Sequence, residues 1–179
     1  MQRTFLEKNP FYILEASPSD KRASIISKAE EKAFFADDNE CEEAQASLLN
    51  PTRRLSAELE WFFDISAESQ AEIIKSIKSQ KEICADALSG ISRLNAALYN
   101  FSVLDFDDCF EMGCAILEID ELYEKINSSD VCDIINRYRA QSGIALATEN
   151  DVVCALGKKR AAIRQTISDR LGSLGQADY

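Results

Sequence analysis

Histidine is absent from all 179 residues. Its absence removes imidazole-activated serine and cysteine nucleophiles. It removes the zinc sites that depend on imidazole and the commonest general acid–base group near neutral pH. Proline and glycine are scarce, at 3 and 6 residues, so there is little turn chemistry for a sandwich or a barrel. No GxGxxG or GxxxxGK[ST] segment occurs, and with it goes the glycine-rich phosphate loop. Gly157-Lys158-Lys159 lacks the preceding glycine and lies inside a helical pattern. No run approaches the roughly 18 apolar residues of a membrane span, and residues 1–10 lack the apolar stretch of a secretory leader. A cytoplasmic location is therefore expected.

Positive charge is also in short supply. Lysine and arginine number 20 against 31 acids, for a net charge of −11. A phosphate backbone needs cations to displace its counterions, so neither nucleic acid nor an anionic membrane is an expected partner. The six cysteines form no CxxC pair. They fall mostly on apolar positions of helical patterns, which predicts buried free thiols.

What remains favours helix. Hydrophobic content of 46% and charged content of 28% are those of a globular chain. Leu, Ile, Ala, Glu and Lys are plentiful. The length suits one domain, or a small module followed by a helical one. The expected fold is all-α: a short-helix module over residues 9–64, then an antiparallel helical bundle over 65–175.

Residues 1–8 are a short lead-in. Asn9-Pro10 is a helix start, with a capping side chain followed by proline at the first helical position. Ser17-Pro18-Ser19-Asp20 breaks that helix, and Ser19 is the expected cap of the next. The second helix is expected over 20–35, with Ile25, Ile26, Ala29, Ala33 and Phe34 as its apolar stripe. Residues 36–39 form a polar break. A third helix turns Ala44, Leu48 and Leu49 inward. Asn50-Pro51 repeats the helix-start signal, and the fourth helix carries Leu55, Leu59, Trp61 and Phe62. Trp61, the only tryptophan, is expected in the core between the two modules.

This order resembles a J-domain, the module of DnaJ-like co-chaperones. Phe11-Tyr12-Ile13-Leu14 matches the family's aromatic-rich first helix. A Ser/Pro/Asp turn leads into a long, partly basic helix and an exposed loop. Leu48-Leu49-Asn50-Pro51-Thr52-Arg53-Arg54-Leu55 matches the leucine, proline break and paired arginines that follow. The family's loop carries His-Pro-Asp, needed to stimulate a DnaK-type ATPase; Ala36-Asp37-Asp38-Asn39 offers aspartate but neither histidine nor proline. The resemblance implies a protein partner, a DnaK-type chaperone or related ATPase, meeting Lys21, Arg22, Lys28, Lys32, Asp37 and Asp38. It implies no cofactor, and ordinary stimulation of the ATPase is not expected.

Beyond residue 64, Ser66 caps a helix bearing Ile73, Ile74 and Ile77. A longer pattern over 79–100 carries Ile83, Leu88, Ile91, Leu94 and Leu98, and residues 100–104 break it. Residues 105–126 are apolar over a wide arc, which predicts a central helix. Ser128 or Ser129 caps a helix over 130–141 that ends at Ser142-Gly143. The last helix is expected over 148–171, with Val152, Val153, Leu156, Ile163, Ile167 and Leu171 as its stripe.

Between 104 and 133 there are ten acids against one base, Lys125, whereas the last helix carries Lys158, Lys159, Arg160, Arg164 and Arg170. Two solvated faces are the plainer expectation; an acidic docking face for a basic partner is the sharper one. Asp105-Phe106-Asp107-Asp108 begins like a calcium loop, but Phe110 stands where glycine is required, so no metal site is expected. Together these features predict a non-catalytic, J-domain-like adaptor. The alternatives are a helical subunit of a larger multi-protein machine, or a small helical enzyme using Asp107, Asp108 and Glu111.

Overall fold

The computed structural model describes residues 3–35, 37–106 and 108–174. Among them lie nine α-helices and no strand, so the fold is all-α: α1 (Pro10–Ile13), α2 (Arg22–Ala33), α3 (Asp38–Leu49), α4 (Pro51–Leu59), α5 (Ala67–Lys78), α6 (Gly90–Val103), α7 (Cys109–Glu124), α8 (Ser128–Ser142) and α9 (Glu149–Leu174). No helix among the described residues is long and apolar enough to cross a membrane.

The local start and stop signals act as capping chemistry predicts. Asn9 accepts from Phe11 N at 2.9 Å, and Asn50 accepts from Thr52 N and Arg53 N at 3.0 and 3.1 Å. Ser66 accepts from Ser69 N at 3.1 Å. Each meets an orphan amide of a first turn. At the end of α8, Gly143 takes φ 73, a left-handed conformation that glycine adopts without the Cβ penalty. Two expected caps differ. Ser19 makes no cap for α2, whose N-cap is Lys21 with no side-chain acceptor; Asp20 instead accepts from Ser17 N at 2.8 Å and closes the turn. Asn127, not Ser128 or Ser129, caps α8.

Two apolar cores form, and both draw residues from either side of Asp64. The first gathers Phe11, Ile25, Ala44, Leu48 and Trp61 with Ile73, Ile77, Ile83, Leu88 and Tyr99. The second gathers Leu55, Leu59 and Phe63 with Leu94, Leu98, Ile119, Ile135, Val152 and Leu156. Trp61 is fully buried, stacked on Phe11 at 5.9 Å and meeting Phe62 edge-on at 5.6 Å. Trp61 and Phe62 lie just past the end of α4 rather than on it. The buried polar backbone of that exit is met by side chains from both directions. Asn9 Nδ2 donates to Ala57 O and Glu60 O, and Asn95 Nδ2 donates to Leu59 O and Trp61 O. Buried carbonyls without such donors would be costly.

A buried ionic triad links α4 to α8. Glu58 Oε1 accepts from Arg54 Nε at 2.7 Å, and Glu58 Oε2 accepts from Arg139 Nε at 2.9 Å. Arg54 and Glu58 are fully buried and Arg139 is 1% exposed. Two cations against one anion leave an excess positive charge in the interior. Four carbonyls balance it: Leu48 O and Pro18 O accept from Arg54, and Ala145 O and Pro51 O accept from Arg139.

Several expectations are corrected. The helix expected over 79–100 is confined to Gly90–Val103. Gln80, at φ 51, ends α5, and residues 80–89 run outside any α-helix. Asn100 holds that segment in place, accepting from Ile83 N at 2.9 Å and donating to Ile83 O at 3.0 Å. Ile83 and Leu88 thereby bury without being helical. The break expected at 100–104 is correspondingly helical through Val103. α7 begins at Cys109, capped by Asp108, and is peripheral rather than central: it packs mainly on α6 and buries only Met112 and Ile119. Of the six thiols, Cys41 and Cys132 are buried, but Cys84, Cys109, Cys114 and Cys154 are exposed. Lys159, expected on a solvated face, is 5% exposed and donates to Asn95 Oδ1 at 2.7 Å. Val153 and Leu171 of the expected α9 stripe are about half exposed, at 50% and 47%.

Candidate protein-interaction site

α2 and α3 pack against each other as a helical hairpin joined by residues 34–37. α2 has 12 residues, which at about 1.5 Å per residue separates its ends by roughly 18 Å. Lys21 and Arg22 are exposed at one end; Asp37 and Asp38 are exposed at the other. Asp37 is the N-cap of α3, accepting from Asn39 N at 3.0 Å, and Asp38 opens its first turn. The polar break expected over 36–39 is thus mostly the start of α3; Ala36 itself lies outside the described residues.

Lys28 and Lys32 lie between these ends and are engaged within the chain. Lys28 Nζ donates to Glu15 O at 2.8 Å and pairs with Asp20 at 2.9 Å. Lys32 Nζ pairs with Glu15 Oε1 at 2.7 Å, and Lys78 of α5 reaches the same oxygen at 2.7 Å. Hydrogen bonds from Lys32 and then Lys78 hold the Glu15 carboxyl below its ordinary range. Glu15 sits at φ 48, so a left-handed turn aims its carboxylate at both lysines. The six residues assigned to a partner therefore divide into two exposed ends and a middle that fastens α2 to the preceding turn.

At the hairpin tip the structure presents a feature that the helical pattern hid. Phe34 and Phe35 are 83% and 88% exposed. Phe34, expected on the buried stripe, is the C-cap of α2 and turns away from it. α2 ends at Ala33, so neither phenylalanine is carried on its stripe; the aromatic pair close to an Asp-Asp-Asn run was the available signal. The surroundings are acidic. Glu30, Glu31, Asp37, Asp38, Glu42 and Glu43 are all exposed near the loop or along the two helices. The field reaches inward: burial, and then Glu40, Asp38 and Asp37, push the Cys41 thiol up. The tip is an aromatic pair in an acidic collar, a form suited to inserting into an apolar recess with a basic rim.

The carboxylates weighed for acid–base work are placed otherwise. Asp107 lies outside the described residues. Asp108 Oδ1 accepts from Phe110 N and Glu111 N, both at 2.8 Å, as the cap of α7. Among the described residues no cluster of three or more cysteine, aspartate or glutamate side chains is positioned to hold a metal ion. The chain matches no known family model, no curated protein and no solved structure in the comparisons made.

Proposed function

We propose that this protein is a non-catalytic, J-domain-like adaptor that docks a protein partner through the α2–α3 hairpin. The exposed Phe34–Phe35 pair carries the reading, because it adjoins residues 36–39, the stretch that the resemblance sets against the family's His-Pro-Asp loop. A few well-packed anchor residues carry most of the energy of a typical interface, and large aromatic side chains suit that role. A DnaK-type chaperone or a related ATPase is the partner that the resemblance implies. Without histidine and proline in the loop, the adaptor binds that partner and does not stimulate it in the ordinary way.

The test is affinity capture from cytosol together with ATP turnover by a DnaK-type chaperone, using the native chain and a Phe34→Ser/Phe35→Ser variant. Both side chains are exposed, so the variant should keep its stability within about 0.5 kcal/mol. The expected result is chaperone binding without normal stimulation, weakened at least about tenfold in the variant. A chaperone that neither binds nor responds, with both proteins capturing the same material, would remove the proposal. Lys28→Glu/Lys32→Glu is a poorer probe, since it also breaks the contacts to Glu15 and Asp20.

A further inference from the structure

α7 shows two unlike surfaces. Met112 and Ile119 sink into the second core at 7% and 1% exposure. On the other side Phe110 and Leu117 stand in solvent at 77% and 64%. Single exposed hydrophobes are ordinary, but these two share a strip. At about 100° per residue, Phe110, Cys114, Leu117, Glu121 and Glu124 follow one another along the same side of the helix. Cys114, Glu121 and Glu124 are exposed as well. Beside the strip, a Cβ built on Gly113 would meet nothing within 4 Å, so the backbone there is open to a close neighbour. The strip is apolar for two turns, with a shallow notch at Gly113 and Cys114, and acidic for the next two.

Charge decides what fits it. A second copy laid parallel would set Glu121 and Glu124 against their own counterparts. Laid antiparallel about Cys114, it would bring the same carboxylates toward Asp108. Like charges at close quarters oppose either arrangement. Both strip acids already have partners at the surface, Glu121 with Lys125 at 3.5 Å and Glu124 with Arg160 of α9, and beside the strip Glu118 meets Arg93 at 3.7 Å. Pairs of this kind hold by only about 0–1 kcal/mol and can yield to an incoming cation. We propose that this strip docks an amphipathic helix of another protein, apolar over two turns and basic over the next two, with Phe110 and Leu117 as anchors. The proposal does not depend on the hairpin tip or on the J-domain resemblance.

The probe is a synthetic helical peptide with leucine at i, i+3, i+4 and i+7 followed by two lysine-rich turns. Its control has the same composition in permuted order. Each is titrated into the full chain by fluorescence anisotropy. The patterned peptide should bind at least about tenfold more tightly than the control, and Phe110→Ser/Leu117→Ser should abolish that advantage. It should also slow alkylation of Cys114 in a chain with Cys84, Cys109 and Cys154 changed to serine. Circular dichroism and Tm of the double variant confirm that the fold is kept. Equal binding of the two peptides, or binding indifferent to the variant, overturns the proposal. So does a dimer in sedimentation that the variant dissociates, which would give the strip to a second copy.

Discussion

Replacing Glu58 by glutamine should be among the most damaging conservative changes in this chain. The side-chain volume is nearly kept, and the charge is lost. Glu58 Oε1 and Oε2 each accept from a different guanidinium, Arg54 at 2.7 Å and Arg139 at 2.9 Å. In either orientation a glutamine amide aims its NH2 group at one of them, donor against donor. Two cations are then left in the interior with four carbonyls and no anion. Breaking a buried pair in this way costs about 3–5 kcal/mol, a large share of the roughly 5–15 kcal/mol typical of a whole domain. At about 2–4 °C per kcal/mol for a chain of this size, Tm should fall by roughly 6–20 °C. Urea unfolding should show a lower midpoint with an unchanged slope. The triple change Arg54→Met/Glu58→Leu/Arg139→Met should recover part of the loss, because no charge remains to be desolvated. Recovery stays partial, since the carbonyls of Pro18, Leu48, Pro51 and Ala145 lose their donors. A Glu58→Gln loss below about 1 kcal/mol would refute the view that this triad holds α8 to α4.

Two further tests follow from single groups. Burial lowers the Lys159 amine from 10.5 to about 8, against the opposing pull of Glu60. Below that value the amine is charged in both states, and folding bears the cost of burying it. Between about 8 and 10.5 the folded chain has shed the proton and the unfolded chain has not, so stability should climb with pH by up to about 3 kcal/mol. Thermal unfolding across this range should show the rise in the native chain and not in Lys159→Met. Glycine offers a paired comparison: Gly143 lies at φ 73, whereas Gly113 sits inside α7 with open space around it. Gly143→Ala should cost about 1–2 kcal/mol, and Gly113→Ala should add about 0.5–1 kcal/mol; opposite shifts in Tm check both.

The candidate site was only partly legible in the sequence. Lys28 and Lys32 are visible as charges on a helix, but Glu15 reaches them through a left-handed residue that no periodicity announces. Phe34 fitted a three- and four-step pattern, and the pattern could not say that α2 stops at Ala33. The peripheral place of α7 was hidden for a related reason. A wide apolar arc records what a helix could bury, and α7 finds a neighbour mainly on one side, in α6.

The sequence alone determined the all-α class and many of the helix ends. Asn9-Pro10, Asn50-Pro51, Ser66 and Gly143 act over one turn, and a cap needs only its own neighbours to form. Tertiary structure decided what those helices meet. Residues 80–89 stay outside any α-helix while Asn100, on α6, satisfies both backbone groups of Ile83. Arg54, Glu58, Lys159 and Arg139 are buried because partners brought from distant segments offset the loss of water. Burial and pairing at long range depend on the whole packed chain, and no local pattern carries them.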